Sequence, residues 1–245
     1  MSAFSKGSSF LKGHGVTESD TVRNRMHERH KRIVDANPDA FKGKSVLDLA
    51  SHNGRWTYAA LMAGAAYVLG IEGRQELVDR GLVEFAEFPA ERYKFICGDV
   101  YDQEALARGA GRDHFDTVLC LGLFYHIADH YRLIRQMRSF NPSAIIFDSP
   151  FVKLDQPMIR FNQEDSGDPS NAMPEHDDVA AAMRGVASIG FMRQAAKISG
   201  YTQSIVPWRV INTDHPDCVK DYLDTSRDSQ RMTIVWKASP DKPVW

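Results

Sequence analysis

Five short apolar runs punctuate the first two thirds of the chain: Ser45–Leu49, Ala66–Ile71, Tyr93–Cys97, Phe115–Leu121 and Ala144–Phe147. They are continuously apolar rather than alternating, the pattern of strands covered on both faces. The stretches between them have helical spacing: Trp56–Ala63 closed by Gly64, Gln75–Phe88 stopped by Pro89, Gln103–Arg108, and His130–Phe140 ended by Asn141-Pro142. Strand–helix alternation predicts an α/β fold with a doubly wound, mostly parallel sheet.

The alternation breaks after the fifth strand. Residues 149–187 contain Pro150, Pro157, Pro169 and Pro174 and the polar run from Asn162 to Asp168. That is too long for an ordinary connection and predicts a functional lid or acceptor insertion. The pattern resumes with helix Ile189–Ser199 capped by Gly200, strand Thr202–Val206, a second polar insertion over 207–230, and a last strand Met232–Lys237. Upstream, Thr21–Ala36 reads as a charged helix ended by Asn37-Pro38, with Arg23, Arg25, His27, Arg29, His30, Lys31 and Arg32. It is either a solvated helix or a lid helix supplying cations to an anionic ligand. The expected organisation is an N-terminal helical cap over 1–40 and a seven-stranded α/β domain over 41–245.

Composition narrows the class. With 245 residues, 43% hydrophobic and 25% charged, the chain matches an ordinary globular enzyme. A net charge of -2 leaves no electrostatic footprint for nucleic acid. Cys97, Cys120 and Cys218 form no CxxC and read as reduced thiols. No apolar stretch has membrane-spanning length, and the start of the chain lacks a signal-like apolar core. A cytoplasmic protein with no membrane partner is the expectation.

The densest chemistry lies at the first two strand ends. Val46-Leu-Asp48-Leu-Ala50-Ser51-His52-Asn53-Gly54 runs from a strand through a small-residue turn into a helix, and Glu72 ends the second strand. Such a turn lets a nucleotide-like ligand approach the backbone, and an acid at the second strand end accepts from ribose hydroxyls. Taken singly, Asp48 could equally be a helix cap, and Asp99 a turn former.

Together with Gly98-Asp99-Val100 and Phe115-Asp116-Thr-Val-Leu-Cys-Leu121-Gly-Leu-Phe-Tyr-His126, these residues resemble class I S-adenosylmethionine-dependent methyltransferases in order and spacing. The resemblance is good over 41–150 and looser over 188–238. It implies a Rossmann-like sheet and S-adenosylmethionine as cofactor. Asp48, Ala50, Ser51, Asn53 and Gly54 would hold the methionine moiety. Glu72 would take the ribose, Asp99 and Val100 the adenine, and Leu121 would pass beside the sulfonium. The chain departs from the family in holding Ala50 and His52 where glycines are usual. The G-x-G-x-x-G of a dehydrogenase is absent, which favours methyl over hydride transfer.

Transfer to a hydroxyl needs a general base, or a metal that lowers its pKa. The candidates are His126 after the fourth strand, Asp148 at the end of the fifth, and Glu175 with His176 in the insertion. Asp148, Glu175 and Asp177 form a candidate Mg2+ set of hard oxygen donors, and Asp214-His215 is a weaker site of the same kind. Arg160, Asn162, Gln163, Glu164 and Asp165, with Trp208, Arg209 and Tyr222, suit a hydroxyl-rich acceptor. The first turn and the Tyr-His after strand four also resemble actinobacterial sugar and polysaccharide O-methyltransferases, and less closely enzymes that modify the tRNA wobble base. The leading expectation is O-methylation of a sugar or oligosaccharide in polysaccharide biosynthesis. The alternatives are an RNA-modifying enzyme, docking through the Arg23–Arg32 helix, and a non-catalytic member that binds S-adenosylhomocysteine. Such enzymes often pair through lids or sheet edges, so a homodimer is also expected.

Overall fold

Strands β1 (Ser45–Leu49) and β4 (Thr117–Leu121) lie side by side in parallel, with Leu47 opposite Val118. This pair is the centre of a seven-stranded sheet of order β3-β2-β1-β4-β5-β9-β8. The other strands are β2 (Tyr67–Glu72), β3 (Tyr93–Cys97), β5 (Ala144–Val152), β8 (Tyr201–Ile205) and β9 (Ser229–Ala238). The first five pair in parallel; β9 runs antiparallel to both β5 and β8. In this computed structural model the described residues are 3–4, 10, 20–85, 87–102, 111–168, 171, 173, 180–210 and 212–240.

The apolar runs form strands because both of their faces are covered. Val46, Val68, Leu119 and Ile146 enter one core with Trp56, Ala59 and Ala60 of helix α2 (Arg55–Met62) and with Phe85, just past α3 (Gln75–Glu84). Leu47, Leu69, Val118 and Ile145 enter the other, with Leu133, Ile134 and Met137 of α4 (His130–Ser139) and Met192 and Ala195 of α5 (Ile189–Ile198). Ser188 caps α5 by accepting the Phe191 N–H at 3.0 Å.

Three boundaries differ from expectation. Helix α3 ends at Glu84, four residues early, because Phe85 turns into the core and packs edge-on against Phe95. Strand β5 continues to Val152, paired residue by residue with β9 down to Ser229. The insertion is not a structureless loop: β6 (Ile159–Asp165) and β7 (Ala181–Ala187) form an antiparallel pair outside the main sheet. The expected helix Gln103–Arg108 lies outside the described residues.

The charged N-terminal segment forms α1 (Asp20–His30), extended by a wider turn over Lys31–Asp35. Its cations point inward. Arg25 forms a two-pronged pair with Asp221 at 2.7 and 2.7 Å, Arg29 reaches Asp148 at 2.9 Å, Arg32 pairs with buried Glu28, and Lys31 pairs with Asp214. This clamps α1 to β5 and to the second insertion, which carries α6 (Lys220–Leu223). Among the described residues, no helix is long and apolar enough to cross a membrane.

Candidate functional site

Open parallel sheets bind ligands outside the carboxyl ends of their strands, where the strand order reverses. Here that point lies between β1 and β4, and a cavity of about 1050 Å³ opens there. Its walls include Ala50, Ser51, His52 and Arg55 after β1, Glu72 and Arg74 after β2, and Asp99 and Val100 after β3. Leu121, Tyr125 and His126 close the β4 side, and Arg25 and Arg29 of α1 and Arg231 of β9 complete it.

The turn after β1 is strained in an informative way. Ala50, His52 and Gly54 stand at φ 52°, 56° and 78°, so every second residue is left-handed. Only glycine adopts that conformation without steric cost. Ala50 and His52 therefore hold a left-handed backbone that glycine would adopt freely. Gly54 is obligatory: a Cβ there would come within 2.6 Å of the Phe95 ring. Gly81 of α3 is equally confined, since a Cβ would lie 2.7 Å from the Asn53 carbonyl oxygen. Asp48, 1% exposed, accepts the Thr57 hydroxyl at 2.8 Å and so ties β1 to α2. Burial, opposed by its bonds from Thr57, pushes its carboxyl up to about 7. Asp48, Asn53 and Gly54 lie behind the cavity wall, whereas Ala50 and Ser51 form it. The Ser51 hydroxyl oxygen is buried with no hydrogen-bond partner.

Glu72 is buried at the cavity edge. One of its oxygens accepts the His52 N–H at 2.9 Å and the other the Arg74 N–H at 3.1 Å. Each retains a lone pair for a further donor. Asp99 accepts the Tyr101 N–H at 2.9 Å, a turn contact that uses one oxygen only. This surface fits a nucleoside with an amino-acid tail: a left-handed turn of backbone and a two-oxygen acceptor line one cavity.

Facing that wall is an arrangement the sequence did not reveal. His126 Nδ1 lies 2.6 Å from Glu164 Oε2, and the other Glu164 oxygen accepts from Arg184 at 3.0 Å. Glu164 belongs to β6, and its side chain is 4% exposed. With Nδ1–H donated to the carboxylate, the Nε2 lone pair is left to act as a base. Burial lowers the His126 pKa, the Glu164 contact only partly offsets this, and Arg184 and Arg231 lower it further. These influences favour the neutral imidazole.

Asp148 requires a correction. It does not face the cleft as a base or a metal ligand. It is fully buried and accepts from Arg29 at 2.9 Å, Arg231 at 3.0 Å, Tyr222 at 2.8 Å and Thr233 at 2.8 Å. Burial alone would raise its carboxyl; the two guanidiniums and two hydroxyls more than offset this and hold it below the usual range. Every lone pair is engaged, which leaves none for a metal. Glu175, His176 and Asp177 lie outside the described residues. Among the described residues no three His, Cys, Asp or Glu side chains converge as a metal site.

Trp208 and Tyr222 are also placed differently from expectation. They stack at 3.5 Å, buried, between Arg32 and Arg25, and offer no platform for a sugar. Asp214 is occupied by Lys31, and Arg160 pairs with Asp228 on the surface. Within the N-terminal helical segment, Arg25, Arg29, Lys31 and Arg32 are each held by an acid.

Known proteins agree with this geometry. Residues 46–140 match the family described as methyltransferase domain. The N-terminal domain of EvdMO1, solved with S-adenosylhomocysteine and D-fucose, superposes with a TM-score of 0.61 at 18% identity, covering 91% of this chain and 84% of that one. An S-adenosylmethionine-dependent methyltransferase structure from Listeria monocytogenes, described as putative, gives 0.58 at 15% identity, covering 88% and 99%. Two tRNA U34 carboxymethyltransferases align in part. That of Campylobacter hominis is 25% identical over 49% of this chain, and that of Dichelobacter nodosus 29% identical over 45%. These alignments span only 41% and 33% of those proteins. The domain match supports an enzyme that carries a methyltransferase domain over residues 46–140, and the solved structures share its fold.

Proposed function

We propose that the chain transfers the methyl group of S-adenosylmethionine to a hydroxyl of a sugar or similar polyol, with His126 as general base and Glu164 as its orienting acid. The observation that carries this reading is the 2.6 Å contact between His126 Nδ1 and Glu164, with His126 lining the same cavity as the β1 turn. Bound S-adenosylmethionine supplies an activated methyl on a positively charged sulfur. Ala50, Ser51 and the following helix N-terminus would hold its amino-acid end. The Glu72 carboxylate would accept from the ribose diol, with Asp99 and Val100 at the base. Asp48 and Gly54 act from behind, by fixing the turn.

On the other wall, the β6–β7 hairpin brings Glu164 over His126 and encloses the acceptor side. The acceptor oxygen would bond to the methyl carbon as the sulfur–carbon bond breaks and S-adenosylhomocysteine leaves, its proton passing to His126 Nε2. Glu164 holds the ring in the required tautomer and stabilises the imidazolium that results. Burial strengthens both effects.

An RNA acceptor is the second reading, and the partial alignments to tRNA-modifying enzymes favour it. The two separate on a direct measurement: label transfer from methyl-labelled S-adenosylmethionine into an oligosaccharide pool and into bulk tRNA, each with and without a chelator. Label in saccharide, insensitive to chelator, is expected. Label in tRNA alone would replace the acceptor assignment, and loss with chelator would replace the metal-free base.

A further inference from the structure

Among the described residues the cavity is lined by six arginines, Arg25, Arg29, Arg55, Arg74, Arg132 and Arg231, and by three acids, Glu72, Asp99 and Asp129. Arg25, Arg29 and Arg231 all line it. The acids bonded to them are Asp148 and Asp221, so three guanidiniums meet two carboxylates. Neither acid lines the cavity. Arg55 at the α2 start adds a further cation, its pKa lowered to about 10 by burial and by Arg29. Glu164 is matched by Arg184. Arg231 also lies over the Tyr125 ring at 5.3 Å, beside the base. The Arg29 Nε is buried without a hydrogen-bond partner.

Asp148 acts here as a rear anchor. It fixes two arginines from different elements, α1 and β9, so that their planar forks are ordered before any ligand arrives. An ordered guanidinium pair loses little side-chain entropy on binding an oxyanion, and a buried surplus charge is costly until an anion meets it.

We propose that the acceptor carries an acid group, a carboxylate or a phosphate, near the hydroxyl that is methylated, and that Arg231 and Arg29 bind it. This deepens the methyl-transfer reading and rests on it for the site's role. The cofactor's own carboxylate competes for Arg29 and Arg55 at the α2 start, so Arg231 is the discriminating residue.

The test is calorimetry on the full chain saturated with S-adenosylhomocysteine, with methyl glucoside, methyl glucuronide and glucose 6-phosphate as probes. One or both acidic probes should bind at least about tenfold tighter than the neutral glycoside. The carboxylate and phosphate arms identify which anion is taken. Arg231→Lys keeps the charge but loses the fork. It should reduce the preference about tenfold, with S-adenosylhomocysteine affinity within threefold of wild type. Equal affinity for neutral and acidic probes, no binding by either acid, or an undiminished preference in Arg231→Lys overturns the proposal. Because the readout is binding, the two readings fail separately. Acid-selective binding without methyl transfer removes only the proposed reaction, and methyl transfer without acid preference removes only the anion site.

Discussion

Glu164→Gln isolates the orienting acid from every other part of the site. The substitution keeps the shape of the side chain and an oxygen for Arg184, but removes the charge 2.6 Å from the His126 ring. A carboxylate at that distance raises a histidine pKa. Burial, Arg184 and Arg231 act in the opposite direction. Without the carboxylate only the lowering influences remain. Rate needs the neutral imidazole, so in wild type kcat falls as pH drops through the depressed His126 pKa, below the ordinary 6.5. In Glu164→Gln that inflection should move further to the acid side. A weaker base in a less defined tautomer should also cost about 10²–10⁴-fold in kcat on the plateau. The assay is kcat from pH 4.5 to 9 at saturating cofactor, with calorimetry of S-adenosylhomocysteine as the control for the opposite wall. A plateau rate within about threefold of wild type, or an unmoved inflection, would refute the dyad.

Other perturbations test the remaining parts. Gly54→Ala must seat a Cβ 2.6 Å from Phe95 at φ 78° and should lose about 2–4 kcal/mol of stability by denaturant unfolding; a neutral effect would contradict the packed turn. Ala50→Gly relieves a left-handed alanine at φ 52° and should raise the melting temperature by about 1–3 °C, net of the added chain entropy. Asp148→Asn leaves two arginines short of a buried counter-charge and should cost about 3–5 kcal/mol by denaturant unfolding; full stability with lost activity would instead restore a catalytic role. Glu72→Ala should weaken S-adenosylhomocysteine binding at least about tenfold by calorimetry, and unchanged affinity would remove the ribose assignment.

Much of the frame was legible because it is written locally. An apolar run ending in Asp48, and another ending in Glu72, carry their own periods and stops, and the seven-stranded sheet follows. The β1 turn was legible only in part. Ala50 and His52 look like departures from a glycine pattern, yet the chain holds them at φ 52° and 56°, a property of backbone that residue identity conceals. Glu164 sits in a polar run whose neighbours, such as Asn162, are exposed; only the β6–β7 pairing carries it across 38 residues to His126. Asp148 was misplaced for the same reason in reverse. An acid at a strand end reads as cleft-facing until Arg29, 119 residues earlier, is found against it. Trp208 and Tyr222 read as a sugar platform until their stacking between arginines buries them.

The most direct measurement is methyl transfer itself: label from methyl-labelled S-adenosylmethionine into saccharide hydroxyls, by wild type and by His126→Ala, at saturating cofactor. The account expects transfer by wild type and a loss of at least about 100-fold in the variant, with S-adenosylhomocysteine affinity preserved. Equal rates in the two proteins, or no transfer by wild type to any hydroxyl acceptor, would contradict it.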